Sequence, residues 1–190
     1  GSTALGESLI PRSGKPIHRL SLEPQDCQPV EEAIAAIDNA DAIILGPGSL
    51  YTSVLPNLLV REIREAILNS SAPKVYVCNV MTQAGETDGY KASDHVRALL
   101  DHCGPGLIDY VIVNTGPIPE TLLERYKQEG AVPVEPDIAA IKALGITPIT
   151  ASVISMTDLV RHDPEKLAEV ISRLLWDDSG QWKPPPWANL

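Results

Sequence analysis

Apolar and polar positions along this chain follow two rhythms in turn. Short apolar runs end at turn residues, and each is followed by a stretch whose apolar positions recur every three or four residues. Ile17 to Leu22 has the composition of a strand, and Pro29 opens a helix with Val30, Ala33, Ile34 and Ile37 at helical spacing. Asp41 to Leu45 is nearly all apolar and stops at Gly46-Pro47-Gly48, which predicts a central parallel strand buried on both faces. The next helix, about Asn57 to Asn69, turns Leu59, Ile63, Ala66 and Ile67 inward and leaves Arg61, Glu62, Arg64 and Glu65 to solvent.

The pattern then repeats. Lys74 to Asn79 predicts a strand, Val80 to Tyr90 a long loop, and Ser93 the cap of a helix bearing Val96, Leu99, Leu100 and Cys103. Asp109 to Asn114 is the next strand and Pro119 to Glu129 the next helix. Short strands follow at Ile146 to Thr150 and Val153 to Leu159. Asp163-Pro164-Glu165 then starts a helix that carries Leu167, Val170, Ile171, Leu174 and Leu175. Strands alternating with amphipathic helices predict an α/β fold, a Rossmann-like, mostly parallel sheet with helices on both faces. We expect one domain over residues 1–175 and a tail over 176–190, where QWKPPPW breaks the pattern.

Composition narrows the function classes. Apolar residues make up 44% and charged residues 21%, the balance of a soluble globular chain. No apolar stretch approaches the roughly 20 residues of a membrane span, and nothing at the front reads as an export signal. The three cysteines, Cys27, Cys78 and Cys103, show neither a disulfide framework nor zinc-ligand spacing, which suits a reducing cytoplasm. A net charge of −10 argues against nucleic acid and anionic lipid as partners, so any phosphate must be held by local geometry.

Ligands of parallel sheets bind outside the carboxyl ends of the strands, where three loops gather: Gly46 to Asn57, Asn79 to Tyr90 and Asn114 to Pro119. In GPGSLYTSVLPN, Gly46 and Gly48 permit a sharp turn and close backbone approach, while Ser49, Thr52 and Ser53 supply hydroxyls beside a helix N-terminus, together a phosphate-holding arrangement. A plain strand-to-helix turn explains the same residues. Pro56 suits a first helical turn and biases Leu55 away from helical geometry, which puts the helix start at Ser53 or at Pro56. The second loop, NVMTQAGETDGY, offers Asn79 and Gln83 to read a base or sugar edge, and Glu86 and Asp88 to take sugar hydroxyls or Mg²⁺ beside a diphosphate, with Thr82, Thr87, Gly85 and Gly89 between them. A solvated loop has the same composition. Asp94-His95, His102 and Arg161-His162-Asp163 read as helix, cap and surface, not as catalytic groups.

From about Asp41 to Asn114 the chain resembles the YvcK/CofD-like family, the gluconeogenesis factors, in LGPGSLYTSVLPNLLV, KVYVCNVMTQAGETDGY, ASDHVRALL and DYVIVN, with weaker similarity from Gly6-Glu7-Ser8 to RHDPEKLAEVI at Arg161 to Ile171. The MTQAGETDGY and GPGSLYTS stretches look like the YvcK branch. That resemblance implies a non-catalytic, cytoplasmic, bacterial UDP-sugar-binding regulator linked to gluconeogenic growth, cell shape and cell-wall synthesis. Cell-wall synthesis proteins would be its partners, and a homo-oligomer stays open. The alternative is a CofD-type enzyme passing a phospholactyl group from a guanosine diphosphate donor to a deazaflavin, with Mg²⁺ as its metal. By the same resemblance Gly46, Pro47, Gly48, Ser49, Tyr51, Thr52, Ser53 and Asn57 match the phosphate-side loop. Asn79, Met81, Thr82, Gln83, Gly85, Glu86 and Asp88 match the second ligand-side loop. The family's glycine-rich front is not in this sequence, which implies a chain lacking the family's N-terminal portion and part of the nucleotide pocket.

Overall fold

The computed structural model describes residues 2–155 and 160–176. Four strands, β1 (Ile43–Leu45), β2 (Lys74–Val77), β3 (Tyr110–Asn114) and β4 (Thr147–Ala151), form one sheet in the order β1-β2-β3-β4. Every pairing is parallel, with Ile44 beside Val75, Tyr76 beside Val111, and Ile112 beside Ile149. Parallel neighbours need crossover segments, and the helices supply them. After α1 (Glu31–Asp38), α2 (Leu55–Leu59) and α3 (Arg61–Asn69) join β1 to β2, α4 (Ala92–Cys103) joins β2 to β3, and α5 (Glu120–Gln128) and α6 (Ile138–Ala143) join β3 to β4. The last helix, α7 (Pro164–Leu175), follows the sheet.

The two-residue period of the strands sorts their side chains into two cores. Ile43, Leu45, Tyr76, Cys78, Val111 and Val113 point to one face and pack with Leu55, Leu58, Ile67, Val96, Leu99 and Ile141. Val75, Val77, Tyr110 and Ile112 point to the other, where Leu167, Val170, Ile171 and Leu174 of α7 cover them. This second core holds no residue of β1, and Ile44, on that face, is 36% exposed. A third, smaller core of Val80, Met81, Ile154 and Val160 packs with Leu122, Leu123 and Tyr126 of α5.

Several local expectations need correction. Among the described residues β1 lies at the edge of the sheet and is open on one face, not central and buried on both. Ile17 to Leu22 forms no strand. Ile17 and Leu20 lean on the first core, and the Leu20 amide donates to His102 Nε2 at 3.0 Å instead of to a ladder. The helix expected over Asn57 to Asn69 is two helices, broken where Val60 takes extended angles (φ −66°, ψ 116°). Ser93 is not the cap of α4. Lys91 holds that position, with its N–H donating to Asp94, and Ser93 sits buried inside the first turn, its hydroxyl donating to Asp137 Oδ2 at 2.6 Å. Of Val153 to Leu159, Ile154 makes only an isolated bridge to His162, and residues 156–159 lie outside the described residues, as does the tail from 177. The start of α7 is as expected, with Asp163 accepting from the amides of Glu165 and Lys166.

Candidate functional site

Backbone geometry shapes the first loop. Leaving β1, Gly46 takes φ +92°, a left-handed conformation that side chains with a Cβ rarely adopt. From Ser49 the chain enters a wide π turn, Leu50–Val54, in which the amides of Val54 and Leu55 donate to the carbonyls five residues back, Ser49 and Leu50. Pro56 accounts for the widening, because it lacks an N–H and its ring crowds the carbonyl four residues back. Leu55 is therefore helical despite the proline after it, and helical geometry begins at Leu50, earlier than Ser53 or Pro56. Leu50, Tyr51, Val54 and Leu55 anchor the turn in the first core, while Thr52 is half-buried and Ser53 exposed.

Side chains shape the second loop. Thr82 Oγ1 accepts from the Val132 amide at 2.9 Å, and the Thr82 amide donates to the Val132 carbonyl at 2.8 Å. Thr87 Oγ1 accepts from the Gln83 amide at 2.9 Å, and Asp88 Oδ2 from the Gly85 amide at 2.7 Å. Met81 bridges to Pro133 and is buried. Gly85, at φ +80°, lies so close to the N-terminal turn that a Cβ there would come within 1.9 Å of the Pro11 carbonyl oxygen.

Three side chains stitch the loops together. Asn79 Nδ2 donates to the Gly48 carbonyl at 3.1 Å, Gln83 Nε2 to Ser49 Oγ at 2.8 Å, and Thr52 Oγ1 to Glu86 Oε1 at 3.1 Å. The Tyr51 and Tyr90 hydroxyls meet at 2.7 Å beneath this seam. Gln83 and Glu86 each use one polar atom on the first loop, leaving Gln83 Oε1 and Glu86 Oε2 buried without a partner. Such an orphaned acceptor costs about 1–3 kcal/mol. Burial pushes the Glu86 carboxyl above the usual carboxylate range, opposed by its bonds to Thr52 and the Tyr51 backbone and reinforced by the charge of Glu7. Burial likewise raises the Tyr51 phenol, with Tyr90 adding to it.

The structure thus brings Gly48, Ser49, Thr52, Asn79, Gln83 and Glu86 to one seam. Pro47, Ser53 and Asp88 are exposed around it, and Asn57 turns back to donate to the Ser53 carbonyl at 2.7 Å. Tyr51, Met81 and Thr82 serve the core or the loop itself. The third loop is closed by Asn114, whose Oδ1 accepts from the Gly116 and Val153 amides. Reading the sequence missed Tyr90 and the approach of Glu7 and Pro11, contacts that no local spacing announces. His95 is fully buried with Nδ1 donating to the Lys91 carbonyl, and burial lowers its pKa. His102 bonds the Ala98 carbonyl, so both histidines are structural. His162, expected at the surface, is half-buried against the Cys78 carbonyl. Among the described residues no three His, Cys, Asp or Glu side chains converge as a metal-ligand group, and no helix is long and apolar enough to cross a membrane.

Comparison with known proteins places these loops in context. Residues 1–154 match the family model described as 2-phospho-L-lactate transferase CofD. A gluconeogenesis factor of Halalkalibacterium halodurans is 52% identical over 172 residues, covering 90% of this chain and 53% of that protein. The gluconeogenesis factor of Bacillus subtilis is 47% identical over 176 residues, covering 92% and 56%. The crystal structure of a UPF0052 family member from Bacillus halodurans superposes with a TM-score of 0.86 at 52% identity, over 87% of this chain and 54% of that one. The chain spans about half the length of these relatives.

Proposed function

Since this chain belongs to the CofD family, we propose that it is the ligand-holding part of a YvcK-type gluconeogenesis factor that binds a UDP-sugar and regulates without turnover. The observation that carries the reading is the seam itself: Gly48, Ser49 and Thr52 of one loop are bonded to Asn79, Gln83 and Glu86 of the other at the carboxyl edge of a parallel sheet. In this reading the diphosphate lies along Gly46 to Ser49, where backbone amides and the Ser49 hydroxyl donate, and the nucleoside or sugar lies toward Gln83 and Glu86. Occupancy then signals to cytoplasmic partners in cell-wall synthesis and sets cell shape during gluconeogenic growth.

The family description favours a second reading, a transferase that uses a guanosine diphosphate donor and a Mg²⁺ ion bound at Glu86 or Asp88. Titration calorimetry separates the two. UDP-N-acetylglucosamine and GDP, each with and without Mg²⁺, are titrated into this chain and into the full-length Halalkalibacterium relative. Metal-independent binding of the UDP-sugar, with the sugar recovered intact, is the expected outcome. A preference for GDP that requires Mg²⁺ would overturn it in favour of the transferase.

A further inference from the structure

Gln83 and Glu86 are built alike. Each meets the first loop with one polar atom, Gln83 Nε2 at Ser49 Oγ and Glu86 Oε1 at Thr52 Oγ1, and each keeps a second polar atom, an oxygen, that touches no donor. A staple needs only the first atom. Asn79 does the same task toward Gly48 with its amide nitrogen, and its oxygen takes the Tyr76 hydroxyl at 3.5 Å. Buried acceptors are normally satisfied, so a pair of orphans within one seam calls for donors from elsewhere.

We infer that Gln83 Oε1 and Glu86 Oε2 are acceptors that take a neutral, donor-bearing part of the ligand, its nucleoside or its sugar, and repel its phosphates. This inference rests on the nucleotide-sugar reading and assigns that ligand a direction. Two oxygens, one of them a carboxylate's, reject a phosphate oxygen and accept an O–H or N–H. The Tyr51 amide and the Thr52 hydroxyl already serve the Glu86 carboxylate, so those donors at the π turn are taken. The diphosphate is left to Gly46 through Ser49, and one of the two neutral groups that flank it faces the second loop. The Gly6–Ser13 turn, with the Pro11 carbonyl against Gly85 and Glu7 near Glu86, lies over this same loop.

Glu86→Gln tests the direction, because the new side chain keeps an oxygen for Thr52 and Tyr51 but places an NH₂ donor where the free oxygen stood. This chain and its E86Q variant are titrated with UDP-N-acetylglucosamine and with UDP, folding being checked by thermal melting. We expect E86Q to melt no lower than the parent and to bind the UDP-sugar about ten- to a hundredfold more weakly. A penalty seen with both ligands assigns the donor to the nucleoside, and one seen only with the UDP-sugar assigns it to the sugar. Binding by E86Q within twofold of the parent overturns the pair and leaves the nucleotide-sugar reading intact. No binding by the parent chain or by the full-length Halalkalibacterium relative overturns both. Should E86Q fail to fold, Gln83→Glu, which retains an oxygen at the free position and loses the donor to Ser49, is read in its place, and retained UDP-sugar selectivity is the supporting result.

Discussion

The two loops at the seam reach their shapes by opposite means. Backbone torsions and a proline define the first, with a left-handed Gly46, a π turn from Leu50 and Pro56 behind it. Its hydroxyls are therefore free to face outward or across. Side-chain bonds to its own backbone and to Val132 define the second, which engages Thr82, Thr87 and Asp88 before any ligand arrives. The density of polar residues in a loop is thus a poor measure of its capacity to bind. Of the second loop's polar side chains, Asn79 is used on Gly48 and Tyr76, and only Gln83 and Glu86 keep an orphaned atom.

The sharpest way to break this contrast is to place a methyl group on one left-handed glycine of each loop, Gly46 and Gly85. Gly46→Ala meets nothing closer than the Val77 carbonyl at 3.4 Å and should cost only the torsional strain, about 1–2 kcal/mol. Gly85→Ala adds a clash with the Pro11 backbone to the same strain, so urea denaturation should show a loss of about 2–5 kcal/mol. Equal losses would mean that the Gly6–Ser13 turn yields freely. Next in size is Thr82→Val, which removes the acceptor for the Val132 amide. It should cost about 1–2 kcal/mol, with Thr82→Ser restoring most of it. A silent Thr82→Val would show that side-chain bonds do not hold the second loop.

The smallest effect is a pH dependence. The Glu86 pKa is raised in the folded protein, so its protonated form is favoured by folding. That stabilisation is complete below the unfolded value, about 4.3, and is lost as the pH rises through the folded value. Glu86→Gln cannot ionise. It should be the more stable protein at pH 7, by less than about 1 kcal/mol because the hydrogen bond from Thr52 offsets part of the cost of burial, and the advantage should vanish near pH 4. Melting curves at the two pH values check this, and a constant difference would trace the effect to packing.

Much of the fold could be read from the chain because β2 and β3 are enclosed on both faces, and such strands appear as unbroken apolar runs. The same signal misplaced β1. Its run of apolar residues reports what the strand is made of and not whether neighbours lie on both sides. Ile17 to Leu22 looked like a strand from its apolar positions at 17, 20 and 22, and its amide at Leu20 met a histidine 82 positions away instead. α6, six residues long, is too short for a helical period to show. At the site the glycines and Pro56 marked the turn plainly. The role of Thr82 was hidden, because its partner Val132 sits 50 positions along the chain, whereas Thr87 and Asp88 are taken up by amides of their own loop, at Gln83 and Gly85.

The open side of β1 carries its own consequence. Among the described residues nothing pairs with its outer side, and a strand so placed offers a row of free amides and carbonyls on which another chain can stack, the first step toward fibrous aggregates. Here the row is blunt. It runs for three residues, about 10 Å, before Gly46 turns away and Pro47 follows with no N–H to donate, and a net charge of −10 repels an approaching copy. Ile44 can stand partly exposed on this margin because the strand is too brief to seed a growing stack.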